Sequence, residues 1–319
     1  YNIMYVRAPG LYSSLFSKLP MFSILRRFPS SLLPALIFFC LVTRVEAVPN
    51  VVTSIPPLHS LASGVMQGVG QPELLIPGGQ SPHTSHLRPS AIQALSRADL
   101  IVRVSPDFEA SLRKPVSQLL LTTRIDAADL AGVHLLAART GGLWEHDHAH
   151  AGHAEGEREE EEHGEEEHAV HFPDFHLWLS TGNARLIVTE LARVLGSMDP
   201  HNAQTYRDNA SRLSEKIELT GEEIQQSLVP VKQVPYLVFH DAYHYFEQEF
   251  GLSPAGAVTL SPERTPGART VLAVKDAILE RNAQCIFNEP QFQPRMVTRI
   301  AEETGIRTGE LDPIGAALE

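Results

Sequence analysis

The chain has 319 residues and carries 26 Lys and Arg against 38 Asp and Glu, a formal charge of −12. That length leaves room for two lobes with separate cores, and 43% hydrophobic with 20% charged residues is a globular balance, neither disordered throughout nor collagen-like. The acidic charge argues against a general nucleic-acid binder, and two cysteines exclude a disulfide framework or a Cys-rich zinc fold.

The N-terminus reads as a targeting segment. From Met21 onward come Arg26 and Arg27, an apolar stretch over 32–42, and Val45-Glu46-Ala47. This order predicts a secretory signal peptide cleaved near Ala47, with residues 1–20 an upstream extension and an exported, soluble mature chain. The apolar stretch falls short of the roughly 20 residues a membrane span needs. Cys40 lies within it behind the bulky Phe39, so lipidation is not expected, and the mature chain keeps only Cys285.

Along the mature chain, strand and helix patterns alternate. Strands are predicted over 48–53, 73–76, 100–104 and 122–125, with helices over 58–69, 91–98 (Ser90 as cap) and 106–120. That alternation indicates an α/β layer structure. Ser180 or Asn183 caps a helix over 184–195, ending at Gly196, and a second helix over 201–228 follows Asp199-Pro200. At about 1.5 Å per residue the second helix has the length of a strut between lobes, about 42 Å. The alternation then resumes: strands over 236–239, 257–260, 284–288 and 307–311, helices over 242–250, 268–281 and 294–303. No sequence repeat relates the halves.

The 15 histidines are the unusual number. Seven of them, His146, His148, His150, His153, His163, His168 and His171, lie in the segment 145–171, together with eleven Asp and Glu and one Arg. The segment therefore supplies −10 of the charge. Val170 is its only Val, Leu, Ile or aromatic residue, so it buries too little apolar surface to offset ordering entropy. It reads as a disordered insertion, either a solvated acidic linker or an accessory metal-gathering tract, since imidazole and carboxylate together suit divalent transition metals.

Eight histidines remain in the body: His59, His83, His86, His134, His176, His201, His240 and His244. His83, His176 and His240 stand near strand ends and helix starts, where α/β proteins place ligands. Three neutral imidazoles with an open or carboxylate fourth position form a good Zn²⁺ set. His244 shares a helix face with His240 only if the helix has already begun. His59 reads as pathway or support, and His134 and His201 as structural. Glu289, in Asn288-Glu289-Pro290, is either a base near a metal or a strand-end carboxylate bracing the site. Gly-x-Ser-x-Gly, Gly-x-Gly-x-x-Gly, P-loop and His-Glu-x-x-His motifs are absent, which argues against an enzyme.

Five blocks carry a resemblance: Gln80–Ser90 (QSPHTSHLRPS), His176–Ser180 (HLWLS), Val238–Glu247 (VFHDAYHYFE), Asn288–Pro294 (NEPQFQP) and Thr308–Gly315 (TGELDPIG). With the acidic His-rich insertion, they make the chain from about Val51 onward resemble the periplasmic zinc-binding components of zinc-uptake ABC transporters, the ZnuA type. The resemblance implies two α/β lobes joined by a long helix, with a metal cleft between them. It divides the chain into a leader (1–47), an N-terminal lobe (48–198), a linker helix (199–229) and a C-terminal lobe (230–319). It implies His83, His176 and His240 as zinc ligands and Asp312 as a carboxylate completing the shell, directly or through water. It implies a monomer that binds no nucleic acid, captures Zn²⁺ in the periplasm and passes it to an inner-membrane ABC permease. Two departures stand out. Pro82 occupies a position that is acidic in some zinc members. The family also continues past Leu311-Asp312-Pro313 into a helix whose Cys pairs with the equivalent of Cys285, so Cys285 is expected unpaired here and the C-terminal lobe incompletely covered. The competing readings are a manganese or iron carrier, which His240 opposes where those relatives carry a carboxylate, and an exported zinc hydrolase using Glu289.

Overall fold

The computed structural model describes residues 47–139, 143, 172–259, 262 and 266–316. The expected signal peptide up to residue 46 and the seven histidines of the insertion lie outside the described residues.

Two four-stranded parallel sheets form the frame. The first runs β2-β1-β3-β4, from β1 (Val51–Thr53), β2 (Glu73–Leu74), β3 (Leu100–Arg103) and β4 (Thr123–Asp126). The second repeats that order as β6-β5-β7-β8, from β5 (Tyr236–His240), β6 (Pro254–Thr259), β7 (Cys285–Asn288) and β8 (Arg307–Glu310). The halves are thus copies in topology though not in sequence. Strands β1, β3 and β5 are buried along their whole length, as parallel strands covered on both faces must be. In each sheet the chain leaves a central strand for one neighbour and returns on the other side. This creates a crevice beyond the strand C-termini, where ligands of open α/β sheets bind.

The helices are α1 (Pro56–Val65), α2 (Pro89–Arg97), α3 (Ala110–Ser117), α4 (Thr181–Met198), α5 (Ala203–Leu228), α6 (His244–Phe250), α7 (Ala268–Glu280) and α8 (Arg295–Thr304). α4 starts at Ser180, whose side chain accepts from Asn183 N, and runs through Gly196 to Met198, beyond its expected end. The strut begins two residues later than expected, because Pro200–Asn202 forms a separate 3-10 turn capped by Asp199. Its 26 residues still span about 39 Å. It packs against α4 and α1, and Gly64 permits the α1 contact: a Cβ there would meet Leu213 at 2.7 Å.

α3 is shorter than its pattern suggests. Glu109 turns its carboxylate inward to accept from Val104 N (2.9 Å), Ser105 N (3.0 Å) and Ser54 Oγ. Residues before Ala110 are thereby held as a turn instead of a first helical turn. Arg88 precedes α2 without a side-chain cap, so Ser90 lies inside that helix and is not its cap.

The cores do not divide where the sequence does. Tyr245 and Ile314 belong to the large cluster built on β1 and β3, although both come from the second half of the chain. Cys285 opens β7 as a half-buried free thiol. Among the described residues, no helix is long and apolar enough to cross a membrane.

Candidate metal centre

Three histidines meet between the sheets. His83 lies in the loop after β2, and His176 precedes a 3-10 turn (Leu177–Leu179) leading into α4. His240 is the last residue of β5, which runs one residue beyond its expected end. One ring nitrogen from each lies within 4.8 Å of the others. The ring centroids stand 5.6 Å apart for His83 and His176, 5.4 Å for His83 and His240, and 4.9 Å for His176 and His240.

Carboxylates orient two of the rings. Asp174 Oδ1 accepts from His176 Nδ1 at 2.7 Å and from His176 N at 2.9 Å. Glu289 Oε2, just past the end of β7, accepts from His240 Nδ1 at 3.2 Å. A carboxylate can only accept, so each Nδ1 must carry the proton and each Nε2 presents a lone pair. The Nε2 atoms of His176 and His240 are buried and have no hydrogen-bond partner. Buried polar atoms without partners are costly, and a metal ion would satisfy both.

The surroundings set the charge states. Burial, followed by the charges of His240 and His176, holds the His83 imidazole well below its usual pKa. Burial also opposes charge on His240, but Glu289 and then Asp241 outweigh it and raise that pKa. Burial likewise opposes ionisation of Asp174, yet its contacts with His176 keep its carboxyl below the ordinary range. Phe108 packs edge-on to His83 and His176 at 4.8 and 5.5 Å, Trp178 lies 5.4 Å from His176, and Phe292 lies 6.2 Å from His240. The space these groups enclose measures about 10 Å³, the size of one water-sized sphere. That is room for a single ion.

The remaining candidates are not members of the three-histidine group. Asp312 Oδ1 accepts from Gln291 Nε2 at 2.9 Å and from Ile314 N at 3.2 Å, and Asp312 is not among the residues brought together. His244 begins α6, with Nδ1 3.7 Å from Asp174 Oδ2. His59 Nε2 contacts the carbonyl of Pro72 at 3.1 Å, a structural contact. Glu289 takes the bracing role. The sequence marks Asp174 only as an acidic residue two positions before a candidate ligand, on a stretch with no regular pattern.

Side-chain bonds also cross between the two halves of the chain. Trp178 Nε1 donates to the carbonyl of Pro313 at 2.8 Å, Glu249 Oε2 accepts from Thr181 N at 2.9 Å, and Gln291 Nε2 donates to the carbonyl of Gly78 at 3.4 Å.

A family profile described as "Zinc-uptake complex component A periplasmic", ZnuA, matches residues 51–319. The chain belongs to this family. It is 40% identical over 291 residues to the high-affinity zinc uptake system protein ZnuA of Brucella abortus (strain 2308), covering 85% of each chain. It is 37% identical over 306 residues to the protein of the same name from Paracoccus denitrificans (strain Pd 1222), covering 90% of each. A crystal structure of a ZnuA superposes with a TM-score of 0.69 at 24% identity, over 85% of this chain and 93% of that one, and shows the shared fold. The two parallel-sheet lobes and the long joining helix are therefore the family architecture.

Proposed function

We propose that the protein captures zinc in the periplasm and delivers it to an ABC permease for uptake, without catalysing a reaction. One observation carries this reading: three imidazoles converge from two lobes on a space of ion size, with two buried Nε2 atoms lacking partners. Imidazole donors suit zinc, whereas manganese favours carboxylate-rich sets. Tetrahedral Zn–N bonds of about 2.0–2.1 Å place ligand nitrogens about 3.4 Å apart, and the three rings already bring one nitrogen each within 4.8 Å of the others. Ligands drawn from both lobes couple zinc binding to the lobes' mutual orientation, which a permease can read. The metal is assigned to His83, His176 and His240; a fourth bond from Asp312 would require its carboxylate to leave Gln291. The export signal ending near Ala47 and the division into lobes at 48–198 and 230–319, with the linker at 199–229, belong to the same reading.

The test is zinc and manganese binding to the mature chain by chelator competition, with elemental analysis of the protein as purified. Tight zinc binding with much weaker manganese binding is expected. Equal or stronger manganese binding would overturn the assignment.

A further inference from the structure

We propose that Arg139, which does not line the metal space, is a positioning residue for zinc binding that acts on His240 through Asp241. The inference rests on the zinc reading above.

Arg139 belongs to the N-terminal lobe. Residues 136–138 pair with 172–174 in a short antiparallel ribbon: Ala137 bridges Pro173, Ala138 N donates to the carbonyl of Phe172 at 2.8 Å, and Asp174 N to that of Leu136 at 2.8 Å. Leu136 is buried in the N-terminal core. From this anchored ribbon, the Arg139 guanidinium crosses to the other lobe. Its Nε donates to Asp241 Oδ2 at 3.1 Å, its Nη2 to Asp241 Oδ1, and its Nη1 to Glu247 Oε2 at 2.7 Å. All three side chains are largely removed from water, at 15% exposure for Arg139, 8% for Asp241 and 2% for Glu247.

The segment held in this way carries the ligand. Asp241 follows His240 directly, and the backbone there is tightly turned, with Ala242 N donating to the carbonyl of His240 at 2.9 Å. Glu247 is tied back to β5 by Tyr236 Oη, 2.9 Å from Oε1. One bidentate cation thus fixes both ends of the stretch from His240 to Glu247. Without it, two buried carboxylates share a site with no compensating charge, and the segment must move or take up protons. A ligand ring must be held within about 0.5 Å of its productive place, so such movement reads directly on zinc. The same ribbon ends in Asp174, which orients His176. The root of the acidic insertion is therefore in contact with the supports of two ligands.

The experiment compares Arg139→Met and Arg139→Lys with the wild type in the full mature chain. Zinc affinity is measured by chelator competition, and site geometry by the visible spectrum of the cobalt(II) form. Expected are at least a tenfold loss for the Met variant, an intermediate loss for Lys, which cannot form the fork, and an altered tetrahedral cobalt band. In a His240→Ala background, Arg139→Met should add little further loss. A folded Met variant with lowered Tm but native zinc affinity and cobalt spectrum would make Arg139 a mere staple and overturn the proposal. Should the Met variant not fold, Arg139→Met/Asp241→Asn/Glu247→Gln leaves no buried charge unpaired; native zinc affinity in that protein would equally overturn it. Absence of tight zinc binding in the wild type would instead overturn the zinc reading itself.

Discussion

Glu289 Oε2 accepts the Nδ1 proton of His240 across the crevice at the C-terminal ends of β5 and β7, and both side chains are almost wholly buried. The pairing decides which nitrogen of His240 faces His83 and His176. Asp174 does the same for His176 at the end of the ribbon. Glu289→Gln and Asp174→Asn should each weaken zinc binding by about 10–100-fold, the usual cost of losing a partner behind a metal-ligating histidine. Chelator competition reads this, and an unchanged affinity in either variant would reduce that carboxylate to a packing role.

Replacing His83, His176 or His240 by Ala should each abolish tight zinc binding. Structural zinc sites in small peptides gain about 10–16 kcal/mol at neutral pH, so one ligand of three is worth several kcal/mol, or more than two decades of affinity. His59→Ala serves as a control, since that ring contacts the carbonyl of Pro72 and does not enter the cluster. Near-native affinity in any of the three ligand variants would remove that residue from the set.

Much of this architecture is legible in the sequence. Runs such as Val51-Val52-Thr53 and Leu100-Ile101-Val102 are apolar and β-branched because both faces of their sheets are covered. His240 stands out because it closes such a run, Tyr236–His240, whereas His83 and His176 lie in irregular stretches and are legible only through their motif blocks. The supports do not stand out. Arg139 reaches partners 102 and 108 residues away, and Tyr245 one 109 residues away. No local periodicity encodes a contact at that separation. The start of α3 departs from its pattern for a similar reason: the helical pattern from Pro106 is overridden by the contacts of Glu109 with Ser54 and the turn at Ser105.

The hydroxyl of Tyr245 is inserted into the ribbon, 3.0 Å from Leu136 N, from which it accepts, and 2.6 Å from the carbonyl of Asp174, to which it donates. Tyr245→Phe keeps the ring and leaves two backbone groups unsatisfied. Each such group costs about 1–3 kcal/mol when buried. A loss of about 2–6 kcal/mol is expected in chemical denaturation of the metal-free protein. A loss within experimental error would mean that water replaces the hydroxyl.

Deleting residues 145–171 should preserve the fold and the tight site while lowering total zinc stoichiometry. The ribbon at 136–138 and 172–174 closes the insertion at its root through its own backbone bonds. The three clustered histidines all lie outside the deleted stretch. Titration to saturation followed by chelator competition separates the two populations of sites. Loss of the tight site on deletion would make a residue of 145–171 a ligand.

Zinc affinity should fall as the pH drops from 7.5 to 5, but less steeply than three histidines alone would require. Each ligand must be neutral to bind, and an unperturbed imidazole titrates near about 6.5. Three ordinary ligands would each release a proton to zinc in acid, approaching about three decades of affinity per pH unit. The site distributes that charge unequally. Burial and the neighbouring rings push the His83 pKa well down, so His83 binds a proton less readily than an ordinary histidine and releases less to zinc. Burial is overcome at His240 by Glu289, so its pKa lies above the ordinary value and it holds its proton more tightly than a free histidine. The sign follows: a raised pKa stabilises the metal-free folded state below the unfolded value, that stabilisation is lost as pH rises through the folded value, and zinc competes with the proton over that range. The slope should therefore stay below three decades per unit, and Glu289→Gln should move the onset of the loss to lower pH by relieving His240. Chelator competition on protein lacking residues 145–171 isolates the tight site. A flat profile would remove the histidines as ligands, and a slope of three would show that His83 takes up a proton despite its burial.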